Sequence, residues 1–271
     1  MSQLLEIIAS GRKPVIGMVQ LPALAGGSGY RGGGFAPVLE SAMSEASILS
    51  DNGVDVLMIQ NLGDIPVDAH ATNVQVAWMT RVVAEVRNKF GRPVGINLLE
   101  NDAEAMFAIA SASEADFVRI KIYVGAMMTP FGVETAQAHV AIKARNSWNA
   151  EKVGIFADVH DRTGTPISSG GFIEDVEFAV RLGMADGLVI TGKTYEQTLQ
   201  MVGQARDKYP RVPILVGGSV TKDNFGEVVK TADGAIVSTS MKDSGSAVGT
   251  FAPSKVREFM AVAKGVQARP E

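Results

Sequence analysis

The sequence contains no cysteine, which excludes disulfide bonds and any site built on thiolate ligands. It also has no run of 18 apolar residues, so we expect no membrane span. Positive charge is not in excess: the formal net charge of −4 argues against nucleic acid or an anionic membrane as the main partner. The first residues lack the basic-then-apolar order of a secretion signal. We therefore expect a soluble, cytoplasmic protein.

The composition of the chain, and the order of its predicted strands and helices, are typical of one α/β domain. The chain has 271 residues, 46% of them hydrophobic, and no linker, repeat or low-complexity stretch. Short apolar runs, which predict buried strands, occur at Val15–Leu21, Val54–Gln60, Val94–Leu99, Phe117–Ile122, Val153–Val159, Gly187–Thr191, Val212–Val216 and Gly234–Ser238. Segments with helical periodicity follow them, at Val38–Asn52, Asn73–Phe90, Ala103–Ala112, Val133–Asn149, Ile173–Leu182, Glu196–Lys208, Asn224–Lys230 and Ser254–Lys264.

This strict alternation predicts right-handed βαβ units and a parallel sheet. We interpret the whole of residues 1–271 as a single (β/α)8 TIM barrel, which typically needs about 250 residues. A doubly wound open sheet is the alternative, but it usually has only about five or six strands. The short segment Leu4–Ala9 is predicted to be an extra helix that closes the lower end of the barrel.

The last two predicted strands end in small polar residues. Glycine at a strand end lets backbone N–H groups approach a ligand closely, and paired ends of this kind bind phosphate in (β/α)8 barrels. Lys242 follows as a charge partner for the phosphate, although a solvated lysine is equally consistent with its position. The predicted phosphate-binding residues are Gly217, Gly218, Ser219, Ser238, Thr239 and Lys242.

Charged residues lie on the fourth and fifth predicted strands. Arg119 and Lys121 are two residues apart, so both point to one face, which we expect to be the barrel interior. Asp158 and His160 share one face of the next strand, so opposite charges should meet and lower the pKa of Asp158. These residues are candidates for catalysis, with His160 as an acid or base. An internal ion-pair network that only fills the barrel is the alternative.

Other polar residues lie at the remaining strand ends. Lys193 could form a Schiff base with a carbonyl substrate, bind phosphate or be solvated. The glycine-rich loop 26–34 is either a lid, with Arg31 as an anion contact, or an ordinary surface loop. The predicted substrate-binding residues are Gln20, Asn61, Asp64, Asn97 and Thr191.

These segments, taken in order, resemble the BtpA/SgcQ family. The resemblance is carried by Leu21-Pro22 with the glycine-rich loop, Asn61-Leu62-Gly63-Asp64-Ile65-Pro66, Gly95-Ile96-Asn97-Leu98-Leu99-Glu100-Asn101-Asp102, Phe117-Val118-Arg119-Ile120, Phe156-Ala157-Asp158-Val159 and Ala232-Asp233-Gly234-Ala235-Ile236-Val237 followed by Lys242. It implies a phosphate-binding TIM barrel. One member is named for photosystem I biogenesis, and others are found among sugar-catabolism proteins.

The chain also departs from the family pattern. The family usually has His, Glu and Asn where this chain has Gln20, Gln60 and Lys121. It usually has a Lys-His pair where this chain has His160-Asp161, and Gly-Ser-Gly where this chain has Gly217-Gly218-Ser219. The comparison implies a divergent member that keeps the phosphate site and alters the reacting groups.

We consider three functions on these grounds. The first is an isomerase, epimerase or lyase for a phosphorylated sugar or sugar acid, with no cofactor. The second is an assembly or regulatory factor that binds a partner protein. The third is a metal-dependent hydrolase using Asp64, Asp158 and His160, so a divalent metal stays open. In each case we expect a homo-oligomer.

Overall fold

The computed structural model describes residues 1–167 and 170–267, and its parallel strands form a closed barrel. The strands in chain order are β1 (Val15–Gln20), β2 (Val56–Gln60), β3 (Val94–Asn97), β4 (Phe117–Ile120), β5 (Ala126–Thr129), β6 (Gly132–Thr135), β7 (Gly154–Val159), β8 (Thr165–Pro166), β9 (Gly187–Ile190), β10 (Ile214–Val216) and β11 (Gly234–Val237). The barrel is β1-β2-β3-β4-β7-β9-β10-β11, and β11 pairs with β1 to close it. The predicted (β/α)8 barrel is therefore confirmed, and the open sheet is wrong.

Helices cover the outside of the barrel and its lower end. They are α1 (Gln3–Ala9), α2 (Phe35–Asp51), α3 (Asn73–Phe90), α4 (Ala103–Ser113), α5 (Ala138–Ser147), α6 (Phe172–Glu177), α7 (Tyr195–Lys208), α8 (Phe225–Val228) and α9 (Pro253–Gln267). A π-helical turn over Phe178–Leu182 continues α6, and 3-10 turns cover Leu62–Asp64 and Thr239–Met241. Within residues 1–167 and 170–267, every helix is too short or too polar to cross a membrane.

A small antiparallel sheet replaces the first part of one predicted helix. The sequence predicts a helix over Val133–Asn149, but residues 132–135 form β6, which pairs with β5, and β8 pairs with the other edge of β5. Gly132 has a φ of +117°, a conformation that favours glycine and that ends the turn between β5 and β6. Helical structure therefore begins only at Ala138.

The barrel interior is filled by large apolar side chains. Phe117 of β4 and Phe156 of β7 meet edge to face, with ring centroids 5.5 Å apart. Gly95 on β3 leaves the space for this pair, since a Cβ there would lie 2.1 Å from the Phe117 ring. Leu4 of α1 is fully buried in the same cluster, and its backbone N–H donates to Asp116 over 2.9 Å. The predicted role of α1 in closing the lower end is thereby confirmed.

Strand alternation changes the interior from apolar to polar at the upper end. On each strand, the inward-facing residue two positions after the apolar interior layer is polar or is glycine. This polar layer, which forms the base of the site, consists of Gln20, Gln60, Asn97, Arg119, Asp158, Thr191, Gly217 and Ser238.

Candidate active site

A pocket of about 270 Å³ opens above the polar layer, at the carboxyl ends of the barrel strands. This is the end at which (β/α)8 barrels carry their active sites. Its polar residues and glycines are Gln20, Gln60, Arg119, Lys121, Asp161, Arg162, Thr163, Thr191, Gly217, Gly218, Ser219, Ser238 and Thr239. We call this cavity the main pocket.

Amide side chains form a hydrogen-bonded chain across the base of the main pocket. Ser238 Oγ donates to Gln20 Oε1 over 3.0 Å, and Gln20 Nε2 donates to Gln60 Oε1 over 3.3 Å. Gln60 Nε2 donates to Asn97 Oδ1 over 2.6 Å, and Asn97 Nδ2 donates to the Arg119 carbonyl over 2.9 Å. Asn97 is fully buried behind Gln60. Gln60, which is 8% exposed, lines the main pocket, whereas Asn97 does not, and the contact of Asn97 with substrate stays a prediction.

Arg119 and Asp158 form a buried ion pair beside this chain. Arg119 Nε lies 2.8 Å from Asp158 Oδ1, and its Nη2 lies 2.6 Å from Oδ2. Both side chains point inward, as predicted. Burial nevertheless raises the pKa of Asp158 to about 6, because loss of water outweighs the attraction of Arg119. The predicted lowering of that pKa is wrong.

Lys121 is paired with a carboxylate that the sequence pattern did not identify. Its Nζ lies 3.7 Å from Asp161 Oδ2 and donates to Thr163 Oγ1 over 3.3 Å. Burial alone would raise the pKa of Asp161, but Lys121 and the hydrogen bond from Thr163 hold it below its ordinary value. Asp161 therefore stays ionised at neutral pH and lines the main pocket.

His160 lies outside the main pocket because the strand pattern ends before it. Its backbone is left-handed, with φ +57°, so it no longer shares a face with Asp158. Its Nε2 lies 2.7 Å from Asp175 Oδ2, and its ring packs edge-on against Phe172. It lines a neighbouring cavity of about 360 Å³, the side pocket, together with Lys193. The catalytic roles of His160 and Lys193 stay predictions, and both residues line the side pocket.

The ends of β10 and β11 present glycines to charged and polar groups. A Cβ at Gly217 would lie 2.5 Å from Thr191 Oγ1 and 3.2 Å from Arg119 Nη2, so only glycine fits. A Cβ at Gly218 would lie 3.3 Å from Arg162 Nη1. Arg162, which the sequence pattern did not identify, therefore covers the strand end that was predicted to bind phosphate.

Several hydrogen-bond donors around this strand end are unused. Among the described residues, the backbone N–H groups of Gly218, Ser219, Thr239 and Ser240 have no acceptor. The Arg162 side chain makes no ion pair and no hydrogen bond with any other described residue. Free amides close to a guanidinium are typical of anion sites. We call these amides the amide cluster.

Lys242 does not belong to the amide cluster. Its side chain is 1% exposed, and its Nζ donates to Gln20 Oε1 over 2.9 Å and to the Ala247 carbonyl over 2.7 Å. Glu45 on α2 lies 3.3 Å from the same Nζ. These partners occupy the ammonium, and the role of Lys242 in phosphate binding stays a prediction. Lys242 fixes the end of β11 to the end of β1.

Asn61 and Asp64 form a second buried network behind the pocket. Asn61 Nδ2 donates to Asp64 Oδ2 and to Glu100 Oε2, both over 2.8 Å. Gln75 Nε2 donates to the same two carboxylates, also over 2.8 Å. Burial raises the pKa of Glu100, and the nearby Asp64 adds to this shift. Asn61 and Asp64 are fully buried and do not line the main pocket, and their contacts with substrate stay predictions.

The proposed metal ligands are not brought together. Asp64 lies in the buried amide network, Asp158 pairs with Arg119, and His160 contacts Asp175. Within residues 1–167 and 170–267, no three His, Asp or Glu side chains are grouped to hold a metal ion. The residue set proposed for a metal-dependent hydrolase is therefore wrong.

The glycine-rich loop packs on α3 rather than over the main pocket. The Tyr30 ring meets the Trp78 ring edge-on at 5.7 Å, and Tyr30 Oη accepts the Gly34 backbone N–H over 3.0 Å. Arg31 donates to the Ser28 carbonyl within the loop over 2.9 Å. The lid function stays a prediction, and Arg31 does not line the pocket.

The raised pKa of Asp158 predicts a pH dependence of anion binding. Below about pH 6 the carboxylate takes up a proton, so the charge of Arg119 is no longer neutralised. Asp161 stays ionised, so the pocket gains one positive charge. We expect the affinity for sulfate, whose charge is constant, to rise several-fold between about pH 7.5 and about pH 5. Titration calorimetry at each pH measures this change.

The control is an Asp158→Asn variant, which carries no titrating carboxylate beside Arg119. Its sulfate affinity should be high and nearly constant over the same pH range. An equal rise in the variant and the wild type would assign the pH dependence to another group.

The sequence of this chain matches a known protein family. The BtpA family model matches residues 11–265. An uncharacterised protein of Thermococcus kodakarensis is 34% identical over 255 residues, which cover 93% of this chain and 96% of that protein. The photosystem I biogenesis protein BtpA of Synechocystis is 31% identical over 261 residues, covering 95% and 90% of the two chains.

Solved structures share the fold at low sequence identity. N-(5'-phosphoribosyl)anthranilate isomerase from Pyrococcus furiosus superposes with a TM-score of 0.56 at 14% identity, over 94% of this chain and 100% of the isomerase. At this identity the similarity shows the (β/α)8 fold alone. The match over nearly the whole sequence shows that the chain belongs to the BtpA family.

Proposed function

We propose that the protein is an enzyme that binds a small phosphorylated sugar or sugar acid and moves a proton next to a carbonyl group. One observation carries the proposal: the main pocket is lined both by Arg162 and residues with free amides and by Lys121 with the ionised Asp161. These two sets of groups suit the two ends of such a substrate.

The amide cluster is the phosphate half of the proposed site. Backbone N–H groups and a guanidinium donate hydrogen bonds that match the oxygens of a phosphate monoester. Gly218 has no side chain, so the ester can approach the backbone beneath Arg162. A phosphoribosyl compound appears in the name of the structurally similar isomerase, which agrees with this ligand class.

Asp161 and the inner cations are the reacting half. The Asp161 carboxylate accepts a proton from the carbon beside the carbonyl, and the electron pair of the broken C–H bond moves to the carbonyl oxygen. Lys121 and Arg119 lie in the same pocket and stabilise the enolate charge as it forms. In an isomerase, the hydroxyl on the deprotonated carbon gives its proton to the enolate oxygen and becomes the new carbonyl, while the carbon-bound proton returns to the former carbonyl carbon. In an epimerase, a proton is added to the opposite face of the carbon that lost it. In a lyase, cleavage of a carbon–carbon bond supplies the same enolate.

Hydrogen exchange tests this proposal without knowledge of the substrate. Phosphorylated aldoses, ketoses and sugar acids are incubated with the protein in deuterium oxide, and proton NMR follows the carbon next to the carbonyl. We expect deuterium to enter at least one compound. The Asp161→Asn variant should lose this exchange by about 100-fold or more, because the proton acceptor is removed.

The matched control is Asp102→Asn. Asp102 caps α4 by accepting the Ala105 backbone N–H over 2.9 Å, and asparagine is an equally good cap. Exchange should therefore persist in this variant. Absence of exchange across the panel, together with no rise in melting temperature with any phosphate ester, would contradict the proposal.

A partner-binding function is the second candidate. The small sheet exposes Met128, Phe131, Val133 and Ile167, and one relative is named for photosystem I biogenesis. Exposed apolar groups of this kind occur at protein interaction sites. Loss of a stoichiometric partner in a Val133→Asp variant, with binding of phosphate esters unchanged, would support this function.

A further inference from the structure

We infer that the ligand carries a second acidic group, a carboxylate or another phosphate, which Lys193 binds in the side pocket. The inference rests on the proposed function, because it assumes that one phosphate occupies the amide cluster. It goes further in naming a second binding site and in restricting the ligand to compounds that are acidic at both ends.

The side pocket adjoins the main pocket. Asp161, Arg162 and Thr191 line both cavities, so the side pocket lies directly beside the main pocket. Arg162 also lies over Gly218, at the phosphate end. A ligand held at Gly218 therefore lies beside Arg162, which the two cavities share.

The charged side chains of the two pockets favour a ligand with two anionic groups. The chain as a whole has a net charge of −4, yet both pockets are lined by cations. Arg119 and Lys121 are each paired with a carboxylate. Within the described residues, Arg162 and Lys193 have no acidic partner. Arg162 serves the amide cluster, which leaves Lys193 as the surplus cation of the side pocket.

The neutral groups of the side pocket suit a hydroxylated chain. Gln197, Gln200 and Gln204 lie on one face of α7 and line the cavity. Gln197 Oε1 accepts the Lys193 backbone N–H over 2.7 Å, which fixes the loop that carries the lysine. At the junction of the two pockets, Thr191 Oγ1 is buried and has no hydrogen-bond partner among the described residues.

Titration calorimetry with sugars of equal carbon number tests the inference. The probes are fructose 6-phosphate, with one acidic group, fructose 1,6-bisphosphate, with two phosphates, and 6-phosphogluconate, with a phosphate and a carboxylate. We expect at least one doubly acidic probe to bind about tenfold more tightly than fructose 6-phosphate. The probe that gains the most identifies the second group as phosphate or carboxylate.

Two variants test whether Lys193 is responsible for the higher affinity of the doubly acidic probe. Lys193→Met should remove the advantage of the doubly acidic probe and leave fructose 6-phosphate unchanged. The control Lys152→Met removes an exposed charge just before β7, at the opposite end of the barrel, and should change no affinity.

Two failures can be told apart. If fructose 6-phosphate binds but neither doubly acidic probe binds more tightly, or if Lys193→Met weakens all probes equally, the inference is overturned and the proposed function stands. If no probe binds, the phosphate site itself fails, and the proposed function and the inference fall together.

Discussion

The Arg119→Met variant is expected to be less stable than the wild type by about 3–5 kcal/mol, because it leaves the buried Asp158 carboxylate without its partner. Asp158 is 3% exposed, and both of its oxygens accept from Arg119. Urea denaturation at neutral pH measures the loss. It should be smaller near pH 5, because the protonated form of Asp158, which the buried site favours, carries no charge.

The control removes both members of the pair. Arg119→Met combined with Asp158→Leu leaves no buried charge, so most of the lost stability should return. A double variant as unstable as the single variant would mean that Arg119 stabilises the fold by packing and not by compensating Asp158.

The Gly218→Asp variant is expected to lose at least about 100-fold in affinity for phosphate monoesters. The new carboxylate would lie next to the free amides, and a Cβ at this position is only 3.3 Å from Arg162 Nη1. An internal anion would therefore pair with the guanidinium and repel the phosphate. Titration calorimetry with fructose 6-phosphate measures the loss.

Gly203→Asp provides the matched control. Gly203 lies on α7, and nothing lies within 4 Å of a Cβ built there, so the same charge is added away from the amide cluster. Its affinity for the ester should equal that of the wild type. Unchanged affinity in Gly218→Asp, with circular dichroism showing a folded protein, would exclude the amide cluster as the phosphate site.

Strand alternation explains what the sequence could predict. Apolar runs in the sequence predicted the barrel strands. The two-residue alternation of side chains along a strand predicted that Arg119 and Asp158 face inward, where they form an ion pair. The same rule failed at His160, since a left-handed residue ends the alternation and brings Asp161 to the pocket instead. No sequence signal marks such a backbone turn at a histidine.

The other differences arise from partners that are distant in the chain. Asn61 and Lys242 follow strand ends, as ligand-binding residues do, but Glu100 and Glu45 occupy their polar groups. These carboxylates come from other βα units, so no local pattern connects them. The sign of the pKa shift of Asp158 was missed for a related reason, because a charge pair in sequence says nothing about the amount of water lost.

The bonds of Lys242 have a consequence for assembly of the pocket. They cross the seam where the first and last barrel strands meet, joining Gln20 at the end of β1 to the segment after β11. Ser238 crosses the same seam. Half a barrel would contain Arg119 or the amide cluster but not both. The proposed ligand site would therefore be complete only when the two halves of the chain have come together, so binding of a phosphate ester would report that the ring has closed.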